Sequence, residues 1–334
     1  MSQLQGTPDG SERQIPPAGI PLLQQVLGLT PRQDDRKHLQ NVVFVCIDCE
    51  AFEFGPEKVM EVGVSVLDTS KIDLIDPEIT SQDLISHIES AHYRIEEYGH
   101  LRNKRWVKGN PDAFAFGSST WVKKADAKKV LLRIFQDAGN LSNAATLNEP
   151  LKGEVRNVVL VGHGIKNEVD YLKRLDFPLA APRNIVHKLD TSTILSTKKQ
   201  QVALKNLLQM TGINVDKSHL HNAGNDAAYT LHALMTIATR EHAVPGCLVN
   251  VLAEQRAEGA AQKTKKAKQR AKKKKAQNEA KAAVAAANPG SKAAEQLGKE
   301  QQAGQAKKQA KILRRRAERE ERKRQEQVGS NGNP

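Results

Sequence analysis

The chain has 334 residues, enough for one or two domains with a buried core. Its formal net charge of +13 is carried by one end, because residues 253–334 hold 23 Lys and Arg against nine Glu, a net charge of +14. The sequence has no apolar run long enough for a membrane helix and does not begin like a secretory signal. We therefore expect an intracellular protein, cytoplasmic or nuclear or both, without a membrane partner, and its three cysteines fit a reducing compartment.

Two segments of different character are expected at the start of the chain. Residues 1–40 are rich in Pro, Gln and Gly and predict a flexible N-terminal segment. An α/β domain is expected over residues 41–245, because apolar runs of strand length alternate with helical spacing of apolar residues. The predicted strands cover 42–48, 59–68, 155–163 and 184–191, and the predicted helices cover 125–138 and 166–175.

Residues 76–124 interrupt the expected order of strands and hold six of the 13 aromatic residues of the chain. Basic residues lie between these aromatics. Aromatic planes stack on unpaired bases and cations meet phosphates, so this segment indicates nucleic-acid binding. Alternatively, Phe114, Phe116 and Trp121 fill a small additional core. The candidate nucleic-acid-binding residues are Arg94, Arg102, Lys104, Arg105 and Trp106.

The basic tail, residues 253–334, consists mainly of Ala, Lys, Arg, Gln and Glu. Its helix propensity is high, but it lacks an apolar stripe, so an exposed helix or disorder is expected. Two roles stay open for this low-complexity tail. It acts as an electrostatic tether for nucleic acid, or it serves as a nuclear-import signal or solubilising appendage.

Acidic residues recur where strands end or helices begin. Asp48 and Glu50 are two residues apart at the end of the first strand and therefore share one face. Another acid, Glu168 or Asp170, follows the third predicted strand, and His221 and Asp226 frame the start of a helix. A lone acid pair of this kind is usually a solvated strand end, and a lone Asp near a helix start is usually a cap. Taken together, hard oxygen ligands with a nearby histidine indicate Mg²⁺ or Mn²⁺.

The combined pattern resembles the DEDD superfamily of 3′-to-5′ exonucleases, in its histidine subtype. The resemblance rests on Asp48-x-Glu50, the VGH-x(4)-acid segment followed by Tyr171-Leu172, LDTSTIL at 189–195, and His221 followed five residues later by Asp226. It implies a ribonuclease H-like fold over about residues 41–240. Within the superfamily, residues 94–122 resemble a fungal group related to the yeast "good for full DEAD-box protein activity" proteins.

The resemblance implies a two-metal phosphodiester hydrolase acting on RNA or single-stranded DNA. Two Mg²⁺ or Mn²⁺ ions would activate the attacking water and stabilise the leaving 3′ oxygen, and His221 would accept the proton of the water. The implied metal ligands are Asp48, Glu50, Glu168 and Asp226.

Glu168 departs from the family pattern, which usually has Asp at this position. Asp170 is the alternative ligand, since residues two apart on a helix cannot both face the metals. The extra methylene of Glu168 is expected to disturb the metal geometry. A second reading is therefore a non-catalytic nucleic-acid-binding or messenger-ribonucleoprotein adaptor that keeps the fold. The sequence leaves partner proteins and the oligomeric state open.

Overall fold

The computed structural model describes residues 19–31, 38–74, 78–138, 140–142, 144–148, 150, 154–179, 182–195 and 201–287, and single positions between 292 and 320. Six strands form one mixed sheet within these ranges, which confirms the α/β fold class. The strands are β1 (Val43–Phe52), β2 (Gly55–Asp68), β3 (Ile88–Ile95), β4 (Ser119–Val122), β5 (Val158–Gly162) and β6 (Ile185–Asp190). The helices are α1 (Ile20–Val26), α2 (Ser81–Ser86), α3 (Lys124–Gln136), α4 (Ile165–Arg174), α5 (Leu204–Thr211), α6 (Ala223–Ala243) and α7 (Cys247–Ala287).

The sheet has the strand order β4-β3-β2-β1-β5-β6. Strand β1 pairs antiparallel with β2 and parallel with β5, and β2 continues antiparallel to β3. Strands β4 and β6 add parallel edges. This mixed sheet flanked by helices is the ribonuclease H-like arrangement, and β1, which carries two of the candidate acids, lies inside it.

Strand β1 is apolar on both faces because helices cover both sides of the sheet. Val43, Val45 and Ile47 pack into one cluster with α3 and α4. Phe44 and Cys46 pack into a second cluster with α1 and α6. Successive side chains therefore pack into different cores. Only near its carboxyl end does β1 have side chains that are not fully buried, among them Asp48 and Glu50.

Residues 76–124 contribute two strands to the sheet, β3 and β4, which the sequence does not indicate. Strand β3 pairs with β2 from Leu67 to Glu61, so this segment completes the strand order instead of interrupting it. The sequence hides β3 because three of its inward residues are polar and satisfied by partners: Ser90 bonds Ser65, His92 bonds Glu61, and Arg94 pairs with Asp112. A strand whose polar groups are paired does not show the apolar alternation on which strand prediction depends.

The predicted flexible N-terminal segment is wrong at α1. Leu23, Val26 and Leu27 are buried in the core cluster that includes α6, and Gln24 donates to the carbonyl of Ala238. Helix α1 is short, and it is stabilised by burial against the domain rather than by its own helix propensity. Residues 1–18 and 32–37 lie outside the described residues.

The chain divides into two units, residues 1–254 and 255–334. The first contains the whole sheet. The second begins within α7. Leu248 and Leu252 at the start of this helix are buried, whereas its lysines at 272–275 are exposed, as the composition of the tail predicts. The basic runs at 315–316 and 322–324 lie outside the described residues. No described helix combines the length and apolar character needed to span a bilayer.

Candidate metal site and nucleic-acid interface

Two carboxylates project from the end of β1. Asp48 lies opposite Gly63 of β2, and Glu50 lies opposite Glu61. The register shifts immediately after Glu50, which ends regular pairing at this point. Both side chains are half-buried, so the strand places them together at the margin of the double-covered core.

Glycine at position 63 lets α6 approach the sheet at backbone distance. A Cβ on Gly63 would overlap the carbonyl oxygen of Ala223, and a Cβ on Gly224 would lie 2.7 Å from the Cβ of His92. Neither contact is physically possible, so both positions require glycine. As a consequence, the first turn of α6 brings Asp226 beside β1.

His221 precedes α6 in a left-handed conformation, with φ of +61°. Two hydrogen bonds hold it there: its amide donates to Asp226 Oδ2 at 3.0 Å, and its carbonyl accepts from the amide of Asn110 at 2.9 Å. Non-glycine residues adopt this conformation at a cost of roughly 1–2 kcal/mol. The imidazole is 47% exposed, and its Nδ1 lies 4.0 Å from Glu50 Oε1.

Glu168 reaches the same place from α4. Asp190, at the end of β6, accepts hydrogen bonds from the amides of Gly164 and Ile165 and so caps the start of this helix. One turn later Glu168 is buried and accepts from the amide and thiol of Cys49. Asp170, in contrast, is exposed and lines a pocket with Lys166 and Lys188.

The carboxylates raise one another's pKa. Burial raises the pKa of Asp48 well above its usual range, and the charge of Glu168 raises it further. Burial and then the charge of Glu61 raise the pKa of Glu50 to about 8. Burial likewise raises the pKa of Glu168 to about 8 and that of Asp226 to about 7. Acids with such pKa values are only partly ionised near neutral pH, and bound cations would favour their charged forms.

The donor set fits divalent metal ions. Among the described residues, four buried side-chain oxygens lack a hydrogen-bond partner, and two of them, Glu168 Oε2 and Asp226 Oδ1, belong to the acid cluster. Atoms of Glu50, His221 and Asp226 lie within 4.8 Å of one another. An orphaned buried carboxylate oxygen is costly, and a hard cation would satisfy it.

The five candidate nucleic-acid-binding residues fall into two groups. Arg94 is 8% exposed, stacks on Trp121 at 4.2 Å and pairs with Asp112. Arg102 also pairs with Asp112 and donates to backbone carbonyls. These two arginines therefore hold the segment together. The exposed residues that face solvent are Lys104, Arg105 and Trp106.

The alternative of a small additional core applies only in part. Phe114 is half-buried against His92 and the start of α6. Phe116 is 37% exposed and packs edge-on against Tyr229 and His232, whereas Trp121 is 47% exposed under Arg94.

Three asparagines that the sequence analysis did not single out fix residues 101–118, here called the rim loop. Asn103 bonds the carbonyl of Ala51 and the amide of Glu53. Asn110 donates to the carbonyl of Leu220, and Asn225 bonds the backbone at both 113 and 115. The rim loop thus bridges the β1–β2 hairpin and the His221 turn. Asparagine in a loop is too common for its sequence position alone to reveal this role.

Asp190 was also missed as a positioning residue. Asp190 lies in the LDTSTIL run at 189–195, and its Asp-x-Ser spacing is typical of an Asx-turn. Ser192 does donate to Asp190. Glu61 and His92, a buried pair at 3.0 Å, are a further case, since Glu61 also accepts from the amide of Ala223. This pair holds the start of α6 against β2 through the amide of Ala223.

The fold and the acid cluster define the histidine subtype of the DEDD exonuclease-like proteins. Residues 43–237 match the sequence model of the DEDDh family described as DNA polymerase III subunit epsilon-like, C-terminal domain. The chain belongs to this family, in which divalent metals are typical.

Fungal proteins are among its relatives. The chain is 30% identical over 207 residues to an uncharacterized nucleolar protein of Schizosaccharomyces pombe, covering 59% of this chain and 69% of that one. An uncharacterized Saccharomyces cerevisiae protein is 30% identical over 209 residues, covering 57% of this chain and 40% of that one. The Saccharomyces cerevisiae "Good for full DBP5 activity protein 2" is 25% identical over 211 residues, covering 59% and 35%. The fungal resemblance is thereby confirmed, while the chain spans less than half of the two Saccharomyces cerevisiae proteins.

Proposed function

We propose that this protein is a metal-dependent 3′-to-5′ exonuclease that hydrolyses phosphodiester bonds of RNA or single-stranded DNA. The observation that carries the proposal is the pair of orphaned buried oxygens, Glu168 Oε2 and Asp226 Oδ1, in a cluster with Asp48 and Glu50. A purely structural cluster would satisfy these oxygens with protein donors. Carboxylates that bind Mg²⁺ or Mn²⁺ would not need such donors.

The residues of the site would have two roles, metal binding and proton transfer. Asp48, Glu50, Glu168 and Asp226 would hold two ions, which when bound supply Lewis-acid activation of water and charge stabilisation at the leaving oxygen. His221 is positioned to accept a proton, because burial lowers its pKa and so favours the neutral imidazole at pH 7. Its two backbone hydrogen bonds fix the main chain from which the ring projects.

Glu168 supports a second candidate function, a nucleic-acid-binding or messenger-ribonucleoprotein adaptor without catalysis. Its carboxylate reaches the cluster, but it is one methylene longer than the usual Asp and accepts hydrogen bonds from Cys49. Metal pairs in such enzymes are roughly 3.5–4 Å apart, so a small displacement of one ligand matters. An adaptor would tolerate the displacement.

A nuclear location, with a ribonucleoprotein partner, belongs to the same proposal. It is supported by the nucleolar name of one relative and by the basic tail. Lysine- and arginine-rich runs serve both import and nucleic-acid attachment.

The proposal is tested with a single strand labelled at its 5′ end. The protein should shorten it stepwise in Mg²⁺ or Mn²⁺, release labelled mononucleotide at once from the same strand labelled at its 3′ end, and do neither in EDTA. If the protein binds the strand but does not shorten it under any of these conditions, the adaptor function would be favoured over the exonuclease function.

A further inference from the structure

Two aromatic rings are exposed side by side outside the acid cluster. Phe54 is 58% exposed and Trp106 is 66% exposed. Their ring centroids are 5.3 Å apart, and the guanidinium of Arg105 lies 6.0 Å from the Phe54 ring and 5.8 Å from the Trp106 ring. Phe54, Arg105 and Trp106 are here called the aromatic platform. Large exposed aromatics that adjoin one another indicate a binding surface more often than an isolated exposed residue does.

The platform is held in place by polar contacts. The carboxylate of Glu53 accepts hydrogen bonds from the backbone amides of Lys104, Arg105 and Trp106. Asn103 ties the same loop to Ala51 and Glu53. These hydrogen bonds fix the rim loop to the β1–β2 hairpin. A preorganised surface loses less conformational entropy when a ligand binds.

The two segments that carry the platform, the β1–β2 hairpin and the rim loop, are both connected to the acid cluster. Phe54 follows Glu50 by four residues, a separation of at most about 14 Å along the chain. On the other side, the rim loop continues from Trp106 to Asn110, whose amide binds the carbonyl of His221. A strand that occupied the cluster could therefore reach the platform within a few nucleotides.

The charge around the platform selects the kind of ligand. Lys104, Arg105 and Lys108 are exposed in the same loop, whereas the nearby Glu53 carboxylate is engaged by three amides. We propose that the platform binds an unpaired base of a nucleic-acid strand, stacked on Trp106 and Phe54, with Arg105 and Lys104 on the adjacent phosphates. Duplex bases are already stacked and are excluded from such a surface. This inference rests on the proposed function for its substrate class.

An apolar peptide is the competing occupant. Charge argues against it, because Lys104, Arg105 and Lys108 are exposed in this loop, whereas Glu53 is engaged by three amides and Asp112 pairs with two arginines. Exposed cations favour a polyanion. Stacking on aromatic rings contributes about 1–3 kcal/mol per base, which corresponds to roughly a five- to 150-fold change in affinity.

The test uses the intrinsic fluorescence of Trp106. The chain has two tryptophans, so Trp121→Phe leaves Trp106 as the single reporter. The full-length protein is titrated in EDTA, where trimming is absent, with a 12-nucleotide oligo(dT) or oligo(U), or with a blunt duplex. We expect quenching by the single strands only. Phe54→Ala should weaken their binding at least five-fold, and the control Phe116→Ala, an exposed aromatic without a cation on its ring, should not.

Unquenched Trp106, equal quenching by the duplex, or equal effects of Phe54→Ala and Phe116→Ala would overturn the inference. Because the titration needs no metal, its outcome is separate from that of the nuclease assay. If the protein binds single strands at the platform but does not trim them, the platform is supported and the exonuclease function is excluded. If the protein trims single strands but Phe54→Ala does not weaken binding, the exonuclease function is supported and the platform is excluded.

Discussion

The backbone amide of His221 donates a 3.0 Å hydrogen bond to Oδ2 of Asp226, the residue five positions later. This bond joins the proposed proton acceptor to a proposed metal ligand. It also leaves Oδ1 of Asp226 buried without a protein partner. The spacing of the two residues therefore has a physical basis, because a shorter or longer turn would not place this amide on that carboxylate.

Substitution at Glu168 tests which acid of α4 serves the site. If its extra methylene strains the metal geometry, Glu168→Asp should raise the rate of trimming, whereas Asp170→Asn, at an exposed position, should change it little. Initial rates at saturating Mn²⁺ measure both. The reverse ranking would transfer the ligand role to Asp170, and indifference to both substitutions in an inactive protein would favour the adaptor.

Stability should depend on pH and metal together. Carboxyl groups in an unfolded chain have pKa values of about 4. Burial raises the folded-state pKa of Glu50 and Glu168 to about 8 and that of Asp226 to about 7, so their protonated forms favour the fold. That contribution is complete below about pH 4 and is lost as the pH rises through 7 and 8.

Thermal melts in EDTA should therefore show a Tm that falls from pH 5.5 to pH 8.5, and Mn²⁺ should raise the Tm most at pH 8.5. The double variant Glu50→Gln, Asp226→Asn should flatten both dependences. An equal Mn²⁺ effect at the two pH values, or one that survives the double substitution, would show that the ions bind elsewhere.

Gly63→Ala should destabilise the domain. Its Cβ would collide with the backbone of Ala223, which cannot move unless α6 shifts away from β2. Overpacking of this kind costs about 1–3 kcal/mol or more. Chemical denaturation measures the loss, and Gly259→Ala is the matched control, because nothing lies within 4 Å of its added Cβ. Comparable unfolding midpoints for both variants would contradict the packing of α6 on β2.

The sequence predicts the fold well where burial is simple. Apolar runs such as the one in β1 identify central strands, because both faces of the sheet are covered. Strand β3 is not predicted, since its polar residues are satisfied only by distant partners such as Glu61. Similarly, α1 depends on contacts with α6 that local composition does not reveal.

The candidate site follows the same division. Asp48, Glu50, His221 and Asp226 are predicted as a group by their spacing, and the structure brings them together with Glu168. Asn110 and Asp190 act through backbone hydrogen bonds whose partners are far away in sequence. Arg94 and Arg102 show the opposite limit, because the sequence cannot distinguish an arginine paired with Asp112 from one that awaits a phosphate.

The basic tail should act as an electrostatic tether. With a net charge of +14, residues 253–334 should raise affinity for any single strand, and counterion release makes that contribution fall steeply with salt. Affinity for a random strand measured at several salt concentrations, with and without the tail, gives the two slopes. A smaller slope after deletion is expected. Identical slopes would exclude the tether and leave the import signal or solubilising appendage.

The most direct test of the acid cluster is trimming by Asp226→Ala. A 5′-labelled single strand is incubated with the parent protein, with Asp226→Ala, and with the control Asp216→Ala. The control removes an exposed acid whose carboxylate accepts a hydrogen bond from the amide of Ser218. We expect the parent and Asp216→Ala to trim alike in Mn²⁺ and Asp226→Ala to be slower by several orders of magnitude, because the loss of a ligand removes an ion. If Asp226→Ala trims as fast as the parent, the cluster is not the catalytic site.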